Sequence, residues 1–250
     1  MTDSAPVIPR SSVTRRLLSV ALAPLLLGTL AAAMCILSAG PSLGLFIGPL
    51  ILVTLLVPPL TLSETLSVNR LIVLAALLAP FCAGWFIFGM RADVHAGECL
   101  ASSVVLIAYA IALAGLSVGL RLLRLPALAS AALSVTVGLV WLTWPIWASR
   151  TWNGGDSEAS VARIVVCHPG FVINGQVTQA LGNWTEQSLA YHLTDLAQSV
   201  NFAIPQSIWP CVLLHGLLGG GILILAAWLE KREPLTDTSD ALAQGAPVID

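Results

Sequence analysis

LASSVVLIAYAIALAGLSVGL, residues 100–120, decides what kind of protein this is. The stretch carries no charged side chain. It lasts for the roughly twenty residues that an α-helix needs to cross the hydrocarbon core of a bilayer. Five more apolar runs begin near Leu17, Pro41, Leu71, Ala127 and Ser207. Strands of a membrane barrel need only ~9–11 alternating residues, so runs of this length predict helices. Composition excludes a water-soluble bundle. The chain is 57% hydrophobic and 10% charged, whereas a soluble domain carries about 25% charged residues. Mean hydropathy is +0.89. The expected fold is an all-α membrane protein of six transmembrane helices.

Working outward from that run divides the 250 residues. Residues 1–16 form an N-terminal tail and 17–148 a five-helix membrane region. Residues 149–206 form a cap between helices five and six. Residues 207–229 are the sixth helix and 230–250 a polar tail that reads as disordered, as do the first dozen residues. Arg15 and Arg16 precede the first run, as in a signal peptide. The run exceeds the ~7–15 residues of a signal core, so an uncleaved span is expected.

The cations set the orientation. With the N-terminus inside, the inner segments hold Arg10, Arg15, Arg16, Arg70, Arg121, Arg124, Lys231 and Arg232, and the outer ones only Arg91, Arg150 and Arg163. Inner loops of membrane proteins collect Lys and Arg, so both termini are expected inside and the cap outside. The implied location is a multi-pass position in a bacterial cytoplasmic membrane. Net charge is −2, and no nucleic-acid partner is expected. The bilayer is the first partner.

No Asp, Glu, Lys or Arg lies well inside a span. Buried ionisable groups mark proton and ion relays, so a carboxylate-coupled transporter is not expected. Glycines recur at four-residue spacing: Gly40, Gly44 and Gly48 in span two, Gly115 and Gly119 in span four, Gly216 and Gly220 in span six. Helices in lipid approach closely where side chains are small, so these rows are expected at helix contacts, within the chain or between copies.

In the cap, Val161 to Val177 is rich in Val and Ile, with His168-Pro169-Gly170 and Asn174-Gly175 as turn signals. A short hairpin or irregular segment is expected there. From Trp184 to Val200 the apolar residues repeat at three and four. Asn183 and Glu186 form a capping signature, so an amphipathic helix on the membrane surface or the bundle is expected. Trp144, Trp147, Trp152, Trp184 and Trp209 fit an interfacial aromatic belt.

Every histidine and cysteine maps to the outer half. His95 and Cys99 are four apart, as are Cys211 and His215, and Cys167 adjoins His168. Residues four apart share a helix face. Thiolate and imidazole suit zinc or copper, so His95, Cys99, Cys167, His168, Cys211 and His215 are candidate metal ligands. Cys99, Cys167 and Cys211 are alternatively candidates for a disulfide, and unlinked buried thiols are the simplest reading. There is no Cys-x-x-Cys, no His-Glu-x-x-His and no phosphate loop. No catalytic residue is assigned, no serine nucleophile is expected, and no cofactor is named.

The layout of six spans, inside termini and one long outer segment between spans five and six resembles the membrane subunit of ABC-2 type exporters. The resemblance implies a permease subunit working with a separate ATPase or in a homo-oligomer. The connection from Thr61 to Arg70 is shorter than the coupling segment of that family. An anchor or assembly subunit docking an extracytoplasmic partner, and an outer-face metal or redox protein, are the alternatives.

Overall fold

The computed structural model describes residues 10–39, 44–63, 67–92, 94–147, 162–181, 205 and 207–232. It is helical throughout, with no strand among the described residues. The helices are α1 (Arg10–Ala39), α2 (Gly44–Leu62), α3 (Ser67–Gly84), α4 (Ala96–Leu122), α5 (Ala127–Trp147), α6 (Pro169–Leu181) and α7 (Trp209–Arg232). A π-helical turn, Trp85–Gly89, and a 3-10 turn, Met90–Ala92, continue α3.

Five segments are long and apolar enough to cross a membrane: Ser19–Leu37, Val68–Gly89, Ala96–Leu122, Ala127–Trp144 and Trp209–Lys231. The apolar run described in α2, Ile47–Leu62, is shorter. α1 starts at Arg10, ahead of the expected start at Leu17.

α4 is the central helix. It is 61% buried along its span, against 17% for α7. α7, α2, α5 and α6 all pack on it, while α1 packs chiefly on α3. Leu106, Ala110 and Ala114 on α4 are wholly enclosed with Leu50, Val53 and Val57 on α2 and Leu77 on α3.

Backbone satisfaction explains the buried hydroxyls. Thr54 donates to the Leu50 carbonyl at 2.7 Å, Thr61 to Val57 at 2.8 Å, Ser103 to Cys99 at 2.8 Å and Ser117 to Leu113 at 2.8 Å. Each side chain spends its proton one turn back, so a polar group enters an apolar core already paired. Pro58 and Pro59 remove two donors from α2, and Thr61 also reaches the Pro58 carbonyl at 3.2 Å.

α4 closes with a Schellman motif. The Leu125 N–H meets the Leu120 carbonyl at 3.2 Å and the Arg124 N–H meets Arg121 at 2.9 Å, with Arg124 at φ 65°. At one end of the bundle Arg70, at the start of α3, pairs with Glu230, at the end of α7, at 2.7 Å.

Close helix contact occurs where small residues permit it. A methyl on Gly115 would lie 2.5 Å from the Gly219 carbonyl oxygen and 2.6 Å from its Cα. A methyl on Gly48 would lie 2.9 Å from Cys35 Sγ, and one on Gly119 3.2 Å from Ile222. Gly216 and Gly220 differ from expectation, because nothing lies within 4 Å of a methyl on either. The stripe of α7 that meets α4 is Cys211, His215, Gly219 and Ala226, so each neighbouring glycine is rotated away by one residue. Gly40 lies outside the described residues, as does the side of Gly44.

The segment expected as a hairpin is helical. A single turn covers 162–165 and α6 follows from Pro169. Pro169 opens the helix rather than a hairpin turn, because the first helical position needs no N–H and its fixed φ suits that site. Val172, Ile173 and Val177 are fully enclosed against α4 and α2, so burial outweighs the β-preference of that run. The expected amphipathic helix over 184–200 lies outside the described residues.

Gly219→Ala should cost about 1–3 kcal/mol by forcing α7 away from the Ile111–Ala112 backbone. Gly216→Ala and Gly220→Ala should stay within about 0.5 kcal/mol of the parent. Thermal unfolding of the three variants in detergent measures the difference.

Candidate functional site

The candidate site is an imidazole–indole cluster where α5, α6 and α7 meet. His168 stands immediately before α6. Its Nδ1 accepts the Phe171 backbone N–H at 3.2 Å, and its own carbonyl accepts the Val172 N–H at 3.0 Å. His168 therefore serves as the N-cap of α6, a place more often taken by Ser, Thr, Asp or Asn.

Because Nδ1 accepts, the proton sits on Nε2, which donates to the Trp141 carbonyl at 3.1 Å. That carbonyl would ordinarily receive the N–H of residue 145, which is proline. One imidazole thus satisfies the start of α6 and a carbonyl freed by proline in α5. The ring packs on Trp141 (5.6 Å between centroids), Trp144 (6.0 Å) and Phe171 (5.1 Å). Burial holds His168 neutral, down to about 4, against the pull of the carbonyls of Leu142 and Trp141.

Trp141 carries the cluster to α7. The His215 ring lies 6.2 Å from it and 5.7 Å, edge-on, from Tyr109. His215 Nδ1 donates to the Cys211 carbonyl at 2.8 Å, with Cys211 Sγ 3.5 Å away. Deeper, the Tyr109 hydroxyl meets Thr54 Oγ1 at 2.8 Å and lies 3.3 Å from the Gly138 carbonyl. Since Thr54 donates to Leu50, Tyr109 gives its single proton to Thr54 in the shorter contact. Gly138 makes room for this: a methyl there would meet Thr54 Cγ2 at 2.6 Å and Leu113 at 2.8 Å.

The six candidate metal ligands do not converge. No group of three or more His, Cys, Asp or Glu that could hold a metal occurs among the described residues. His168 has no lone pair to offer, since Phe171 N–H occupies Nδ1 and Nε2 carries the proton. His95 is exposed and stands 3.9 Å from Glu98. Cys99 is buried beside it and donates to the Trp85 carbonyl at 3.4 Å. Cys167, Cys211 and His215 remain near His168 through Trp141. Cys35, Cys82, Cys99, Cys167 and Cys211 are all free thiols, and burial pushes the Cys167 thiol up.

Three features escaped the sequence reading. Trp141 is the hub, and its signal was Pro145 four residues on. Glu98 falls in the first turn of α4, with one carboxylate oxygen buried and lacking a hydrogen-bond partner among the described residues, as does Ser102 Oγ. The sequence Gly115-Leu116-Ser117-Val118-Gly119 spells the hydrolase elbow pattern. That chemistry needs an exposed serine on a strand-to-helix turn. Ser117 is instead buried mid-helix and bonded to Leu113.

The fold and site define an all-helical protein with the make-up of an integral, multi-pass membrane protein. No family model, no curated protein and no solved structure matches the chain.

Because the folded His168 binds its proton more weakly than the 6.5 of a free imidazole, its cap is intact above about pH 6.5 and weakens as pH falls toward 4. Cap stability, read by hydrogen exchange across α6, should therefore drop over that window. His168→Asn, which keeps an acceptor and a donor, should flatten the drop. An unchanged pH slope in that variant would place the effect elsewhere.

Proposed function

We propose that the chain is a six-span subunit of a multicomponent complex in a bacterial cytoplasmic membrane, with both termini inside and the cap outside. It is permease-like in layout and works with a separate ATPase, as in ABC-2 type export. α2 is the sixth span, alongside the five that qualify on length.

The observation that supports this reading is where charge and free surface lie. Among the described residues, charged side chains within spans sit only in end turns, at Arg70, Glu98, Arg121, Glu230 and Lys231. The core around α4 is closed by apolar side chains and back-bonded hydroxyls. Meanwhile α1, α5 and α7 keep 28%, 22% and 17% of their spans buried and turn the rest outward. That outward apolar surface is available to lipid, to another copy or to another subunit.

A second reading is favoured by α6. This cap helix is built into the core through Val172, Ile173 and Val177. A cap so anchored makes a firm platform for docking an extracytoplasmic protein.

Affinity purification of the tagged full chain in mild detergent, with native mass spectrometry, separates the two. A stoichiometric ATPase is expected for the permease reading. A soluble extracytoplasmic protein in its place would support docking. A solitary monomer in cross-linked membranes would overturn both.

A further inference from the structure

We infer that Cys167 and Cys211 are a dithiol pair whose oxidation staples the base of the cap to α7. Cys167 lies in the turn just before α6, and Cys211 in the first turn of α7. Their neighbours share one indole. His168, next to Cys167, stands 5.6 Å from Trp141, and His215, one turn after Cys211, stands 6.2 Å from it. The two cysteines thus lie on the same side of the bundle, each beside a histidine that packs against Trp141.

Their exposures differ in a useful way. Cys211 is fully enclosed, whereas Cys167 is half-buried. Cys167 is therefore the thiol that meets an incoming reagent, and Cys211 the one that resolves. The co-reactant is a disulfide, either a small molecule or a protein. The Cys167 thiolate attacks it, forming a mixed disulfide as the reagent's S–S bond breaks, and the first half departs as a thiol. Cys211 Sγ then attacks Cys167 Sγ, and the second half leaves with the Cys211 proton. Two protein thiols are oxidised and one disulfide is reduced to two thiols. The closed loop spans 168–210, most of the cap, so the bond constrains a long segment. Oxidation in the cell rests on the proposed outward placement of the cap, since outer compartments favour disulfides.

The test uses the full chain in detergent with oxidised glutathione. Wild type should lose the mass of two hydrogens, and chymotryptic mapping should find residues 167 and 211 joined. A variant keeping only these two cysteines (Cys35→Ser, Cys82→Ser, Cys99→Ser) should close equally, and Cys167→Ser should not close. A bridge to Cys99, or a stable glutathione adduct on Cys167 without closure, would overturn the pairing. Labelling Cys167 of the Cys211→Ser variant with an impermeant maleimide in intact cells reads sidedness separately. Closure in detergent without labelling would refute the orientation and leave the pair standing. Labelling without closure would refute the pair alone.

Discussion

In a bilayer's hydrocarbon core no water reaches the backbone, so each peptide group must find its partner inside the protein. The prolines of this chain make that demand acute. Pro58 and Pro59 in α2 and Pro145 in α5 each delete one donor. At α2 the missing N–H groups would have served the carbonyls of Thr54 and Leu55, whereas Thr61 bonds those of Val57 and Pro58. At α5 the deleted donor would have served the Trp141 carbonyl, and the replacement comes from outside the helix altogether, as His168 Nε2–H. The start of α6 is tied to α5 by the same imidazole that serves the carbonyl freed by Pro145.

That repair fixes other things in turn. Donating through Nε2 leaves Nδ1 to accept, and Nδ1 then starts α6. Once α6 starts at Pro169, its enclosed face carries Val172, Ile173 and Val177 against α4 and α2. The same ring places Trp141 between two histidines and so joins α5 to α7. Each link is a single contact of modest strength. Their joint effect is to define one end of the bundle by aromatic and imidazole packing, while the Arg70–Glu230 ion pair marks the other.

The long apolar helices were legible because lipid imposes one simple rule on the composition of any segment fit to cross it. What was illegible turned on single residues and direction. His168-Pro169-Gly170 carries turn chemistry, and the same triplet serves a helix start. Only the aromatic and carbonyl partners from α5 decide between them. Gly216 and Gly220 satisfy the spacing of a packing row, yet α7 is rotated so that Gly219 meets Gly115. Spacing defines a stripe but not which stripe faces the neighbour. Whether an imidazole can act as a ligand is hidden from sequence for a related reason. Sequence shows the residue type and its neighbours, whereas ligation depends on an unoccupied lone pair, and here backbone groups occupy both ring nitrogens.

Energetics explain why the polar residues could be mistaken for chemistry. A hydroxyl or imidazole in an apolar core is costly unless paired, and such cost is usually tolerated for function. Here Thr54, Thr61, Ser103, Ser117 and His168 are paired with backbone groups of the same bundle, so their presence is accounted for by architecture. The thiols are placed differently: Cys99 engages the Trp85 carbonyl and Cys211 lies against His215, while Cys167 is half-buried in the turn before α6, where its N–H meets the Ile164 carbonyl at 3.0 Å. Of these thiols, Cys167 alone adjoins His168, the residue that links the start of α6 to α5.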